Sequence, residues 1–402
     1  MNFSKEKWII ILTILVDVIG IGIVIPVLPF YAESFGLSPF QMSSLFAVFA
    51  LFSFFSAPFL GALSDKIGRR PVLILSIAST AIGWFIFASA KNPLFLFVGR
   101  IVDGIAAGNF PIAQSYISDI SKDDKERTSN LGVTGATFGI GFIIGPAIGA
   151  ALSTVSPALP FWVVGVLATV NAIAAYFFLP ETNGKLDRER KLEFNPLLPL
   201  IRAVREPLFK ARYVAWFFFG LAVAGMQATF AIYMHDRFGF SSSLIGYVFT
   251  GMGVIMIFNQ GFALKRFWLK NFKESSLELW PFLFFSIGFF LMSAESLALF
   301  FLGLLVMAFN QSILRVIVTS RVAGFAGPTR KGEALGAMSS IMSAAMIVGP
   351  MIGGALFEIN ASFPFLFSAF SIMAAFLVMK KFRKDIPEKK TEESSEDAAV
   401  TV

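Results

Sequence analysis

The sequence predicts an all-α membrane protein of twelve transmembrane helices in two six-helix parallel repeats, and three observations lead there. Of the 402 residues, 56% are hydrophobic and only 15% charged, with 49 Phe and a mean hydropathy of +0.74; soluble domains carry about 25% charge. Apolar runs long enough to cross a bilayer core of about 30 Å recur along the whole chain. Two short stretches of the first half return in the second at a nearly constant spacing.

The runs, numbered here as spans 1 to 12, fall at about 8–30, 40–63, 71–90, 93–118, 130–153, 158–179, 211–235, 243–264, 277–294, 296–319, 333–357 and 361–380. The first is too long for a secretory signal, carries Asp17, Pro26 and Pro29, and is followed by no small-residue cleavage site, so it is expected to stay in the mature protein. Nearly all of the 33 Lys and Arg fall in alternate loops and at the termini. Lys91 and Arg237 occupy the opposite loops, and Arg100 and Arg315 the spans. By the positive-inside rule this bias puts both termini in the cytoplasm of a multi-pass cytoplasmic-membrane protein. The basic loops then face anionic lipid headgroups, and the pI of about 9.5 is a mark of topology, not of nucleic-acid binding.

The absence of Cys and the single His235 exclude a disulfide framework, a thiol nucleophile and a Cys- or His-based metal cluster, so no metal or cofactor is expected. No phosphate-cradling GxxxxGK[ST] loop is present, which argues against ATP as the energy source. Short external loops and the lack of a catalytic constellation argue against an enzyme or receptor.

"YAESFGLS", Tyr31 to Ser38, returns with one insertion as "YMHDRFGFS", Tyr233 to Ser241. "GPAIGAAL" from Gly145 returns as "GPMIGGAL" from Gly349. The expected organisation is a first bundle over 1–180, a cytoplasmic linker over 181–212, a second bundle over 213–384 and a polar, disordered cytoplasmic tail over 385–402, working as a monomer. Parallel six-span repeats build one large class of secondary transporters, whose sites lie near the midplane between the halves.

The loop after span 2 reads "GALSDKIGRRPVL" from Gly61. Gly61 permits close helix approach, Asp65 suits the positive end of a neighbouring helix, and Arg69 and Arg70 suit carboxylates. With Gly68 these residues resemble the signature between spans 2 and 3 of the major facilitator superfamily, a resemblance that extends over about residues 8–382. It implies a latch between the halves on the cytoplasmic side, with Asp119 accepting from Arg69. The second copy, "GFALKRFWLKNF" from Gly261, has Lys265 where an acid belongs, so a latch there is expected to be degenerate.

Span 4, "GRIVDGIAAGNFPIAQSY" from Gly99, read as one helix, sets Arg100, Asp103, Ala107 and Gln114 on one polar stripe. Arg100 followed by Gly104 resembles the family's proton-coupling motif; the alternative is a pair that only joins helices. Span 5 carries Gly141, Gly145, Pro146 and Gly149, which resemble the antiporter motif of the family's exporters. "DVIGIGIVIPVLP" resembles the first span of tetracycline-efflux drug–proton antiporters, implying that Asp17 handles protons or cations. A carboxylate there costs roughly 2.5–3.5 kcal/mol, so its presence calls for a role, although a static partner of Arg100 is the alternative.

The reading is therefore a proton-coupled exporter of a small amphipathic compound, tetracycline-like or multidrug, working by alternating access; the alternative is uptake or facilitated transport of a sugar, amino acid or lipid metabolite. Gln114, Gln227, Asn259, Gln260, Gln311 and Arg315 are candidate cavity residues, although each amide serves equally well as an interhelical hydrogen bond. Arg315 has no counterpart in the family pattern. It is expected to face Asp17 or Asp103 across the cavity, or else to receive an acidic or strongly polar group of the transported molecule.

Overall fold

The computed structural model describes residues 5–121, 123–183 and 207–382. They contain twelve helices long and apolar enough to cross a membrane: Lys5–Glu33, Pro39–Ile67, Arg69–Ala88, Pro93–Asp119, Ser129–Ser153, Leu159–Phe178, Phe209–Phe238, Ser242–Asn271, Glu274–Met292, Leu297–Ala326, Arg330–Ile359 and Phe363–Lys381. Most helices outrun the apolar runs by several residues, because a helix continues into polar surroundings once its core is buried. Span 2 shows how such an end is set. Ser38 and Gln41 form a reciprocal capping box and Pro39 takes the first helical position.

The second bundle begins earlier than its hydropathy indicated. Its first helix runs Pro207–Phe238, inside the stretch assigned to the linker. The remainder of that stretch, 184–206, and the tail from 383 lie outside the described residues.

Spans 10 and 11 form one helical segment, Leu297–Ile359. Ser362 Oγ donates to Glu295 Oε1 at 3.2 Å, so the two ends lie side by side and the segment folds back on itself. With every span crossing, one face of the protein carries both Lys5 and Lys381; it is called the terminal side below, and its opposite the distal side.

The two halves repeat each other contact for contact. Spans 1 and 5 touch through glycine: a Cβ on Gly145 would lie 2.8 Å from the Ile19 carbonyl and 2.9 Å from Gly22 Cα. Spans 7 and 11 repeat this, since a Cβ on Gly353 would lie 2.9 Å from the Gly225 carbonyl. Such backbone proximity is how helices gain packing energy where lipid supplies no hydrophobic drive. Likewise Tyr31 donates to the Ala88 carbonyl at 3.0 Å, and Tyr233 to the Met292 carbonyl at 3.5 Å.

The halves meet on the distal side. The backbone N–H of Phe40 donates to Glu358 at 3.3 Å, Ser242 donates to Ser153 at 3.0 Å, and the rings of Phe30 and His235 stack edge-on at 5.0 Å. The contact of spans 5 and 8 continues inward as far as Gly139, whose Cβ would meet Ile257. Toward the terminal side the picture changes. Gly61, Gly132, Gly135, Gly261, Gly324, Gly332 and Gly336 all face open space. The contacts that join the halves, from Phe40 and Glu358 to Gly139 and Ile257, lie on the distal side and just inward of it, so the space between the bundles opens toward the face bearing the termini. The close approach expected at Gly61 is not made in this conformation.

Candidate functional site

Span 4 is not one helix. It runs as Pro93–Ile105, turns through Ala106–Gly108, and resumes as Asn109–Asp119. Neighbouring hydroxyls satisfy the carbonyls near the break: Ser56 Oγ donates to Gly104 O at 2.7 Å and Ser79 Oγ to Val102 O at 2.8 Å. Interrupted backbone inside a membrane is tolerated only where protein or a cavity covers it. The interruption corrects the single polar stripe expected of span 4: Gln114 belongs to the second piece and does not continue the face of Arg100 and Asp103.

The break places Asn109, buried at 5% exposure, against span 1. Its Nδ2 donates to Asp17 Oδ1 at 2.9 Å and to Thr80 Oγ1 at 3.1 Å. Thr80 in turn neighbours Asp103, and Arg100 Nη1 lies 3.1 Å from Asp103 Oδ2. The Arg100 guanidinium also sits over the rings of Phe49, at 4.2 Å, and Trp84, at 5.4 Å, which favours a desolvated cation. The three residues assigned to coupling, Asp17, Arg100 and Asp103, thus belong to one polar cluster: carboxyl 17, amide 109 and hydroxyl 80 are joined by hydrogen bonds, and carboxyl 103, paired with guanidinium 100, lies beside that hydroxyl. Asp17 is not neutralised by Arg100 directly. Asn109 and Thr80, its links, escaped sequence reasoning, because one amide and one hydroxyl in apolar runs carry no pattern. The available signal was the cluster Gly104, Gly108, Asn109 within a single span.

Asn109 Oδ1 is buried and has no hydrogen-bond partner among the described residues. The amide therefore spends both donors on the cluster and leaves its acceptor empty, an unusual state for a buried group.

The other candidates divide. Asn259, 1% exposed, bonds Ser312 Oγ at 2.5 Å and the Phe309 carbonyl at 3.0 Å, and accepts from Trp268 Nε1 at 2.7 Å. Gln260 donates to the Ser312 carbonyl at 3.5 Å. Both amides tie span 8 to span 10. Gln114 and Gln227 are half-buried and Gln311 is buried. Arg315 is exposed and meets neither Asp17 nor Asp103; among the described residues its side chain has no hydrogen bond, ion pair or electrostatic partner.

The motif after span 2 makes a corner within the first bundle. Arg69 Nη1 pairs with Asp65 Oδ1 at 2.5 Å and Arg69 Nε with Asp119 Oδ2 at 3.1 Å, the acceptor expected. Gly68 turns the chain at φ 113°, where a side chain would be strained. Glu181 then accepts the backbone N–H groups of Arg69, at 2.9 Å, and Arg70, at 3.1 Å. The carboxylate on this helix end is therefore Glu181, a role the sequence had indicated for Asp65. Arg70 donates to the Tyr176 carbonyl at 2.6 Å. In span 5, Gly141, Gly145 and Gly149 lie against Val18, Ile19, Gly22 and Ile23 of span 1, and a Cβ on Gly22 would lie 2.8 Å from the ring of Pro146. The antiporter-like motif is thus the seam that seats the helix bearing Asp17.

The second bundle has a corner of its own. Arg212, 1% exposed, lies 2.5 Å from Glu278, 2% exposed, and Arg321 Nε lies 2.7 Å from the other oxygen of Glu278. Phe325 lies 4.5 Å from the Arg212 guanidinium and 5.2 Å from that of Arg321. Arg321 is the repeat counterpart of Asp119, at the spacing that relates Tyr31 to Tyr233. The ion pair between the start of one span and the end of the next is kept with its signs exchanged: Arg69 with Asp119 in the first half, Glu278 with Arg321 in the second. The second corner is inverted rather than degenerate.

A family model described as the Major Facilitator Superfamily matches residues 10–274 and 276–402. The chain is 29% identical to the tetracycline resistance protein, class C, of Escherichia coli over 368 residues, 89% of this chain and 91% of that protein. It is 27% identical to the quinolone resistance protein NorA of Staphylococcus aureus (strain MSSA476), covering 95% of this chain and 97% of that one. Among solved structures, a bacterial homologue of the human lysosomal transporter Spinster, in an inward-facing and unoccupied conformation, superposes with a TM-score of 0.74 at 17% identity, covering 96% of this chain and 100% of that one.

Proposed function

The chain belongs to the Major Facilitator Superfamily, a secondary transporter of a small molecule and not an enzyme, and on that premise we propose that it exports an amphipathic, drug-like compound in exchange for protons. The observation that carries this reading is the buried polar cluster of Asp17, Asn109, Thr80, Asp103 and Arg100 at the break of span 4. The sequence relatives named for resistance to tetracycline and quinolone agree with it. By the positive-inside rule the terminal side is cytoplasmic, so the open space receives its cargo from inside the cell.

The residues set out a proton step. As a carboxylate, Asp17 accepts the Asn109 Nδ2–H. A proton taken from cavity water turns Asp17 into a donor, and the only acceptor Asn109 offers is the empty Oδ1. Inversion of the amide about χ2 brings Oδ1 to Asp17 and withdraws Nδ2 from Thr80. Thr80 can then donate to Oδ1, which turns its hydroxyl proton away from neighbouring Asp103. Proton loading on span 1 is thereby felt on spans 3 and 4.

Asp17→Asn should fold and insert as the wild type does, since the amide keeps the shape, but should no longer couple efflux to protons. In everted vesicles, tetracycline and norfloxacin added to wild type should release protons down an imposed gradient, and the variant should release none. Wild-type proton release by the variant would sink the coupling role.

The corner at Arg69 serves conformational change and not binding. Arg69→Ala should slow turnover while leaving ligand affinity in detergent unchanged, because it biases conformations without touching the cavity. An affinity loss as large as the turnover loss would contradict that role.

A further inference from the structure

We infer that Arg315 is a binding site for an acidic group on the transported molecule, so that the cargo is an amphipathic organic anion or zwitterion. The inference rests on the transport reading above and narrows its substrate class.

Arg315 lies near the middle of span 10, Leu297–Ala326. Its helical stripe continues through Gln311, Ala308 and Leu304, at four, seven and eleven residues before it. These are 4%, 0% and 4% exposed. A stripe buried along its length faces protein, so the opening at Arg315 is not onto lipid. Protein surrounds the residue, yet its side chain is exposed. It therefore looks into the space between the bundles, which opens to the terminal side.

The other charges within the spans are spoken for. Asp103 is held by Arg100, Asp17 by Asn109, and Glu278 by Arg212 and Arg321. No described residue interacts electrostatically with Arg315. While the cavity is open, water solvates the guanidinium. Once the bundles close over the cavity that water is expelled, and an always-charged group in a membrane interior then needs a counter-charge. A carboxylate arriving with the cargo supplies one, and its two oxygens match the planar fork of the guanidinium. The first half offers a partner for the rest of such a molecule: Phe110, 37% exposed at the broken span 4, stacks edge-on against Phe138 at 6.1 Å. An aromatic body with an acidic substituent meets both requirements.

The test uses the full chain, wild type and variant, with a fluoroquinolone carboxylic acid and its methyl ester, and with 2-naphthoate and its methyl ester. Binding to purified protein is read by thermal stabilisation, and transport by accumulation and proton release in everted vesicles. The wild type should bind each acid more tightly than its ester, and Arg315→Gln should lose about tenfold or more on the acids while the esters change little. Arg315→Lys should retain part of the preference. Arg315→Gln removes a charge without a partner, so its melting temperature should not fall. Equal losses on acid and ester, or no loss on either, would overturn the inference while leaving export intact. If the wild type releases no protons with any compound, the antiport reading fails instead, and the binding arm still decides what Arg315 recognises.

Discussion

Glu278→Ala destabilises the second bundle by about 3–5 kcal/mol, the range for removing one member of a buried ion pair. The carboxylate lies within 2.5 Å of Arg212 and 2.7 Å of Arg321, and the three side chains are almost wholly buried. Without it two guanidinium groups share one buried site around Phe325. The measurement is the unfolding midpoint of purified protein by fluorescence-detected size exclusion, where a large drop is expected. Glu278→Gln should fall between wild type and alanine, since an amide can accept one hydrogen bond but supplies no charge. Replacing all three charges together with apolar residues of similar volume should recover most of the stability, because well-packed apolar groups often match a buried ion cluster. An alanine variant that melts with the wild type would show that the corner bears no load.

Arg100→Ala has the second large effect, and it reaches function as well. Asp103 loses the one cation that pairs with it among the described residues, and that cation is also withdrawn from the rings of Phe49 and Trp84. The expected cost is again about 3–5 kcal/mol. Leucine at both positions 100 and 103 should restore the melting temperature but not transport, since the polar cluster around Asp17 then loses both of its charges on span 4. Recovery of transport along with stability would reduce the pair to a structural brace and remove it from the coupling path.

Much of this architecture was legible in one dimension. A membrane helix is announced by its length and apolarity alone, so all twelve spans could be placed, and the repeat was visible at Tyr31 and Tyr233, Gly145 and Gly349. Arg69 and Asp119 could be joined because the motif fixes both to neighbouring span ends. What stayed hidden depends on convergence in space. Arg212, Glu278 and Arg321 each lie within a few turns of a span end, where hydropathy credits a charge to the loop, and only the packing of spans 7, 9 and 10 brings them together. Arg321 was nonetheless marked by its repeat relation to Asp119. The break in span 4 was hidden for another reason: Ala106 and Ala107 are good helix formers, and the interruption is stabilised from outside by Ser56 and Ser79, which no local rule reads. Asn259 and Gln260 had two equally good readings, and their hydrogen bonds to Ser312 on span 10 depend on a partner that no local pattern names.

The hydrogen bond between Asp17 and Asn109 joins residues separated by 92 positions. At a synthesis rate of about 5–20 residues per second, the amide leaves the ribosome some 5–20 s after the carboxyl it will hold. During that interval span 1 has neither Asn109 nor the glycine seam of span 5 to receive it. The insertion machinery must accept a helix with an acid in its apolar stretch, or detain it until span 4 follows. Entry as the neutral acid is the cheaper course, since the charged form is the one the bilayer penalises. The proton exchange assigned to Asp17 in the working cycle would then begin at the birth of the chain, with the first proton bound during biogenesis and released only when the first bundle assembles.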